Sequence, residues 1–176
     1  MPQPGARTQL LGVTFGSGDQ HFDYNTRQEH TGDHTISDLQ FKSALTDSAS
    51  LVWYGVTRIN PTAGGSEANQ TSRNLLLSEH AKAAPIPILE IEAWDVAKCS
   101  HGATAGPVDE DDLYYLQARA IPRETAEQML VEGFFADVID RFPNVQVRGR
   151  VMDAILDKLG GDSKLNLSLD ELLGAP

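Results

Sequence analysis

Apolar positions in the first 106 residues come as short runs or alternate with polar ones: QLLGVTFG, HTISDLQFKSAL, ASLVWYGVTRI, RNLLLS and IPILEIEA. A period of two puts successive side chains on opposite faces of an extended chain, so each run predicts a β-strand. GSGD, NPTAGGSEAN and SEHAKAAP lie between them, rich in residues that turn a chain. No stretch here has a helical period. Strands recurring every ~8–12 residues fit a sandwich, a barrel or the rungs of a β-solenoid. RNLLLS and IPILEI are apolar without strict alternation, as strands of buried parallel sheets are, and this places the solenoid slightly ahead.

The period lengthens beyond residue 107. Four acidic residues at 109–112 precede Leu113, Tyr114 and Leu116, so a helix starting near Asp109 meets negative charge at its positive end. Pro122 suits the first turn of a second helix, in which Ala126, Met129, Leu130, Gly133, Phe134 and Val138 recur at three- and four-residue intervals. Pro143 ends it. A third helix follows, with Val147, Val151, Ala154, Ile155 and Leu159 as its stripe and Gly160-Gly161 as its stop. One more short turn is expected at Leu169–Leu173. The chain thus divides into a β part, residues 1–106, and a small helical part, residues 107–176.

Composition narrows the class. With 176 residues, 40% hydrophobic and 22% charged, the chain can bury a core and is globular rather than disordered. No apolar run approaches the ~20 residues of a membrane helix, and the start, MPQPGARTQLLG, lacks the pattern of a signal peptide. A cytoplasmic protein is expected. The formal charge of −11 and the scatter of Lys and Arg exclude a nucleic-acid partner. Residues 1–106 hold 7 basic and 11 acidic side chains (7 − 11 = −4) and the rest 7 and 14 (7 − 14 = −7), so the helical part is the more acidic.

Candidate chemistry centres on Cys99-Ser100-His101, which holds the single cysteine. One cysteine forms no internal disulfide. At i and i+2 in a strand, thiol and imidazole project to one face and suit iron or zinc. Two ligands fall short of the four that zinc or an iron–sulfur cluster takes, however, and no orienting group for a catalytic dyad stands out. Spacing alone therefore leaves a metal site, a catalytic pair and a purely structural pair open, the last favoured. His30 and His34, four apart in HTGDH, would be ~13 Å apart in extended chain, too far to share a metal. His80 reads as a solvated turn residue. Phosphate-loop, GxSxG and HExxH motifs do not occur. Asp19, Asp23, Asp33 and Asp38, scattered among turns, keep an alternative in view: a β-solenoid carbohydrate-active enzyme using paired carboxylates.

Residues 70–122, QTSRNLLLSEHAKAAPIPILEIEAWDVAKCSHGATAGPVDEDDLYYLQARAIP, resemble the core of the SufB/SufD family, scaffold proteins of SUF iron–sulfur cluster assembly. The Asn-Leu-Leu-Leu-Ser run, the Pro-x-Leu-Glu-Ile strand, Asp-Val, Cys-Ser-His-Gly-Ala-Thr and the acidic lead into Leu-x-Tyr-Leu follow in the family's order. The likeness extends upstream through His30, Thr35, Ser37, Lys42 and Gly55 and downstream to EGFFADVIDRF. Cys-Ser-His-Gly-Ala-Thr makes it most similar to the C-terminal part of SufD.

The resemblance implies a right-handed parallel β-helix, here its C-terminal rungs, followed by a helical domain. It implies a non-catalytic subunit that pairs with SufB through the last β strands and docks the ABC-type ATPase SufC through the helical stripe Met129, Leu130, Phe134 and Val138. It also implies a cluster-assembly site at His101, with Cys99 beside it, where an iron–sulfur cluster is held transiently at the interface with SufB. No stably bound cofactor or metal is then expected on the isolated chain, and a homodimer through the same last strands is a further expectation. The chain departs from the family pattern at Trp94, and Ala97 adds a residue before the cysteine, a candidate bulge that would re-aim the side chains after it.

Overall fold

The computed structural model describes residues 1–160. It divides into two units, one through Val108 and one from Asp109 onward.

The first unit is a parallel β-solenoid of about three turns. Its strands are β1 (Arg7–Gly16), β2 (His21–His30), β3 (Ile36–Leu45), β4 (Ser50–Ile59), β5 (Glu67–Leu76), β6 (Lys82–Ile91) and β7 (Lys98–Pro107). Odd strands form one sheet in the order β1-β3-β5-β7 and even strands another in the order β2-β4-β6. Register repeats in steps near 30 residues: Arg7 lies beside Ile36, Ile36 beside Glu67 and Glu67 beside Lys98.

Two of these strands, β2 and β7, are absent from the apolar runs of the sequence. HFDYNTRQEH alternates, but its inward positions after Phe22 and Tyr24 are Thr26, Gln28 and His30, all polar-capable. KCSHGATAGP has almost no apolar bulk. Likewise β5 begins at Glu67, well before the RNLLLS run. Neighbouring strands supply the ladder partners that side-chain pattern does not advertise.

The interior has a more apolar half and a more polar half, the second with a smaller apolar cluster of its own, Ile59, Ala63, Ala68 and Ala93. Leu39, Leu45, Ala49, Leu51, Trp53 and Ala81 form the larger buried apolar cluster. Phe22, Tyr24, Phe41 and Trp53 run through it as a row of rings, the first pair stacked, the second edge-on and the third tilted, with successive centroids 6.3, 5.7 and 6.3 Å apart, distances at which aromatic pairs attract beyond their area. Toward the other end of the strands lie Gln28, His30, Thr35, Ser37, Thr57 and Ser66, all buried. They are tolerated because they bond one another. His30 Nδ1 and Nε2 each sit 2.7 Å from a hydroxyl, those of Thr35 and Ser37. Gln28 Nε2 donates to Ser37 Oγ at 2.7 Å, and Thr57 Oγ1 donates to Gln28 Oε1 at 3.0 Å. Burial, with the positive N-terminus adding to it, holds the His30 imidazole below the ordinary histidine range. His34, by contrast, sits in the following turn at φ 51°, so the HTGDH pair is one core residue and one turn residue.

The second unit contains α1 (Glu110–Gln117), α2 (Arg123–Ile139) and α3 (Val145–Lys158). Asp109 caps α1 by accepting from Asp111 N at 2.8 Å, and Asn144 caps α3 by accepting from Gln146 N at 2.8 Å. Arg123 forks onto Glu110 at 2.9 and 3.2 Å and reaches Glu127 at 2.9 Å, tying the start of α2 to α1. Gly160, at φ +76°, follows the α3 C-cap Leu159. The turn expected at Leu169–Leu173 lies outside the described residues.

The buried face of α2 is Ala126, Val131, Phe135, Val138 and Ile139, rotated from the expected stripe. Met129-Leu130-Val131 and Phe134-Phe135 put apolar side chains on neighbouring faces, so the period in sequence was ambiguous. Contacts of α2 with both α1 and α3 choose the face. Along α3, Ile155 is buried while Val147 is exposed. No described helix is long and apolar enough to cross a membrane.

Candidate functional site

Cys99, Ser100 and His101 open β7, the last strand of the odd sheet. Its register against β5 runs without a break from Lys98 to Pro107: Cys99 beside Ala68, Ser100 beside Asn69, His101 beside Gln70. Ala97, the residue expected to be extra, lies before the strand starts, where Ala97 N and Lys98 N both donate to Ser66 O, at 3.1 and 3.4 Å. The expected bulge therefore does not form within β7, and alternation is intact.

That register decides orientation. Ala68, Gln70, Ser72 and Asn74 are the inward, buried positions of β5, so Cys99 and His101, on the same column, turn toward the solenoid interior. His101 is nevertheless exposed. Ile91 on β6, beside buried Ile59, is likewise inward in register and 48% exposed. Inward positions are open here because β6 and β7 are each the last strand of their sheet. The outer edge of β7 has no neighbouring strand among the described residues, and Gly102, Ala103, Ala105 and Gly106 leave it low and flat.

The two candidate ligands differ in their surroundings. Cys99 is half-buried and packs on Ile59, Ala63, Ala68 and Ala93. Burial pushes its thiol up, which disfavours the thiolate that ligates or attacks. His101 meets solvent. Among the described residues no group of three or more His, Cys, Asp and Glu side chains could hold a metal, so Cys99 and His101 do not by themselves make a complete metal site.

Ser100 faces outward and has a definite role that spacing did not reveal. Its Oγ donates to Asn69 Oδ1 at 2.9 Å, and Asn69 Nδ2 donates to Asp38 Oδ1 at 2.8 Å. The chain of bonds crosses three strands and pins the motif's register. Asn74 Nδ2, donating to Thr104 O at 2.9 Å, pins β7 further along. Gln70 lies directly behind His101 in the column. Cross-strand pairs of this kind are invisible until the ~30-residue repeat is known.

The remaining candidates fall elsewhere. Met129 is 45% exposed, Leu130 and Phe134 are half-buried, and Phe134 meets the Phe135 ring edge-on at 5.2 Å. Val138 is fully buried, so the expected docking stripe loses that member as the unit stands. His80 is exposed in a turn. Asp23 and Asp38 occupy outward positions of different sheets and do not converge as a glycosidase pair must.

Comparison with known proteins agrees with this arrangement. The chain is 33% identical over 163 residues to an iron-sulfur cluster assembly SufBD family protein of Mycobacterium leprae, covering 89% of the chain and 42% of that protein. It is 35% identical over 147 residues to the iron-sulfur cluster assembly protein SufD of Bacillus subtilis, covering 84% of the chain and 33% of that protein. Protein ABCI7, chloroplastic, of Arabidopsis thaliana is 41% identical over 108 residues, 61% of the chain and 22% of that protein. The chain thus spans less than half the length of these relatives. The family model described as "SUF system FeS cluster assembly, SufBD core domain" matches residues 1–134. With an unbroken solenoid register beneath its Cys-Ser-His motif and that match over most of its length, the chain belongs to the SufBD family of the SUF iron–sulfur cluster assembly system.

Proposed function

We propose that this chain acts as a non-catalytic, SufD-like scaffold in iron–sulfur cluster assembly, pairing with SufB along β7 and docking SufC through the helical unit. The observation that carries the reading is His101: inward by register, exposed, and on a strand whose outer edge has no neighbouring strand among the described residues. An edge strand recruits another strand through its free backbone groups. A partner strand added there would bring its own side chains next to His101 and supply ligands that the described residues do not gather there. A neutral imidazole suits iron, and the cluster is cargo, held while it forms and then passed on. Cys99, raised in pKa and half-buried, is the secondary participant. On the helical unit, exposed Met129 and half-buried Leu130 and Phe134 are the apolar contacts offered to the ATPase.

The test is co-expression with SufB and SufC. His101→Ala should lower cluster formation in the assembled complex while the complex still co-purifies. Full cluster formation in that variant removes His101 from the site. Deleting residues 122–176 should abolish SufC retention, and undiminished retention refutes the docking role. The isolated chain should carry no stoichiometric iron or zinc by metal analysis.

A further inference from the structure

Three buried side-chain polar atoms of the described residues lack a hydrogen-bond partner: Thr26 Oγ1, Trp53 Nε1 and Gln70 Oε1. They come from three different strands, β2, β4 and β5, and each belongs to a residue that neighbours Gly55, Thr26 by register and Trp53 and Gln70 by contact. Thr26 is the register neighbour of Gly55. A Cβ built on Gly55 would stand 2.3 Å from Trp53 Cζ2 and Cη2 and 2.9 Å from Gln70 Oε1. The indole nitrogen is joined to Cζ2 through one ring carbon, so its N–H belongs to the same neighbourhood.

The chemistry of the three is complementary. Thr26 Oγ1 both donates and accepts, Trp53 Nε1 only donates, and Gln70 Oε1 only accepts. Gln70 cannot relieve its own acceptor by flipping its amide, because Nε2 donates to Ile88 O at 3.0 Å and a flip would set oxygen against oxygen. None of the three is charged, and fully buried Leu39 stands beside Gln70 in register, so an ion would lose its hydration without a counter-charge. Isolated orphan groups are uncommon in folded proteins, and each carries a desolvation cost. Three of them beside one glycine in the middle of β4 call for a shared partner.

We propose that Thr26, Trp53 and Gln70 form an interior binding site at Gly55 for water or a neutral molecule of similar size that donates and accepts hydrogen bonds. Gly55 is required because any side chain there would collide with the Trp53 ring. The site lies one strand behind His101 in the column that Gln70 shares with it, and it stands whether or not His101 takes part in cluster assembly.

The chain offers its own control, since it has two tryptophans, Trp53 buried and Trp94 fully exposed. In the ¹⁵N-labelled full chain, water cross-relaxation is read at the two indole N–H protons. Trp53 should show water cross peaks of opposite sign in the laboratory and rotating frames, the signature of a held water, while Trp94 shows solvent exchange. Thr26→Val, which keeps the shape, and Gln70→Leu should each weaken the Trp53 peak several-fold while amide dispersion stays native. Absence of the peak in the unmodified chain overturns the site. So does a peak lost in Thr26→Val but kept in Gln70→Leu, since that would be relay through the hydroxyl. A peak unchanged in both variants overturns it as well.

Discussion

Strands β5 and β7 lie side by side in one register, residue against residue, yet their inward faces end in opposite states. Ala68, Gln70, Ser72 and Asn74 of β5 are all buried. On β7, Cys99 is half-buried and His101 is exposed. Orientation is the same in both; what differs is coverage, because β5 sits within the stack and β7 ends it. Burial in a solenoid is thus supplied by the next turn. A functional side chain can be aimed inward by ordinary strand alternation and still remain available, provided that it stands on the last rung.

The largest test of this contrast lies in the covered turns. Trp53→Ala removes the ring that closes the aromatic row and should cost about 3–5 kcal/mol in urea unfolding, enough to threaten folding. His101→Ala should change stability by no more than about 0.5 kcal/mol, as for an exposed site. A large loss at His101 would mean that the last rung is covered after all.

Next in size is Asn74→Ala, which strips the amide from Ser43, Ser72 and Thr104 O at once. Leaving buried partners unpaired should cost about 1–3 kcal/mol, read as a lower midpoint in the same unfolding assay.

The more polar half of the interior predicts a pH dependence. His30 has a folded pKa below its unfolded value, so the unfolded chain binds more protons once the pH drops beneath the usual histidine range. Its contribution is fully present above that range and is lost as pH falls through it toward the folded value. His30→Gln should flatten this part of the stability–pH curve. An unchanged slope would show that His30 is not the group responsible.

The smallest effect is at Cys99, the single thiol. Raised by burial, it should alkylate more slowly at neutral pH than a free thiol, and His101→Ala should leave that rate unaltered. Acceleration by His101 would make the pair a coupled dyad instead of two separate neighbours.

Much of the architecture could be read from the chain. Turn clusters separated the β runs, acids and Pro122 marked the helix starts, and the motif order from residue 70 to 122 pointed to the family. β2 and the stretch before RNLLLS escaped because several of their inward side chains are polar (Thr26, Gln28, His30, Gln70 and Ser72), and their burial is tolerated through bonds such as Gln28 to Ser37 across the interior. The face of α2 escaped because apolar residues surround it, and contacts with α1 and α3 chose Val131 and Phe135 over Met129.

By itself the sequence determined the local alternation that sends Cys99 and His101 to one side of a strand, since a period of two is a property of the extended backbone. It could not determine which side was the interior, whether Ala97 would shift the register, or whether the interior would be covered. Those depend on partners about 30 residues away, on Ser66 O accepting from both Ala97 N and Lys98 N, and on Asn69 holding Ser100. Only the stacked structure brings them together, because a solenoid's register is fixed by hydrogen bonds between turns, not within them.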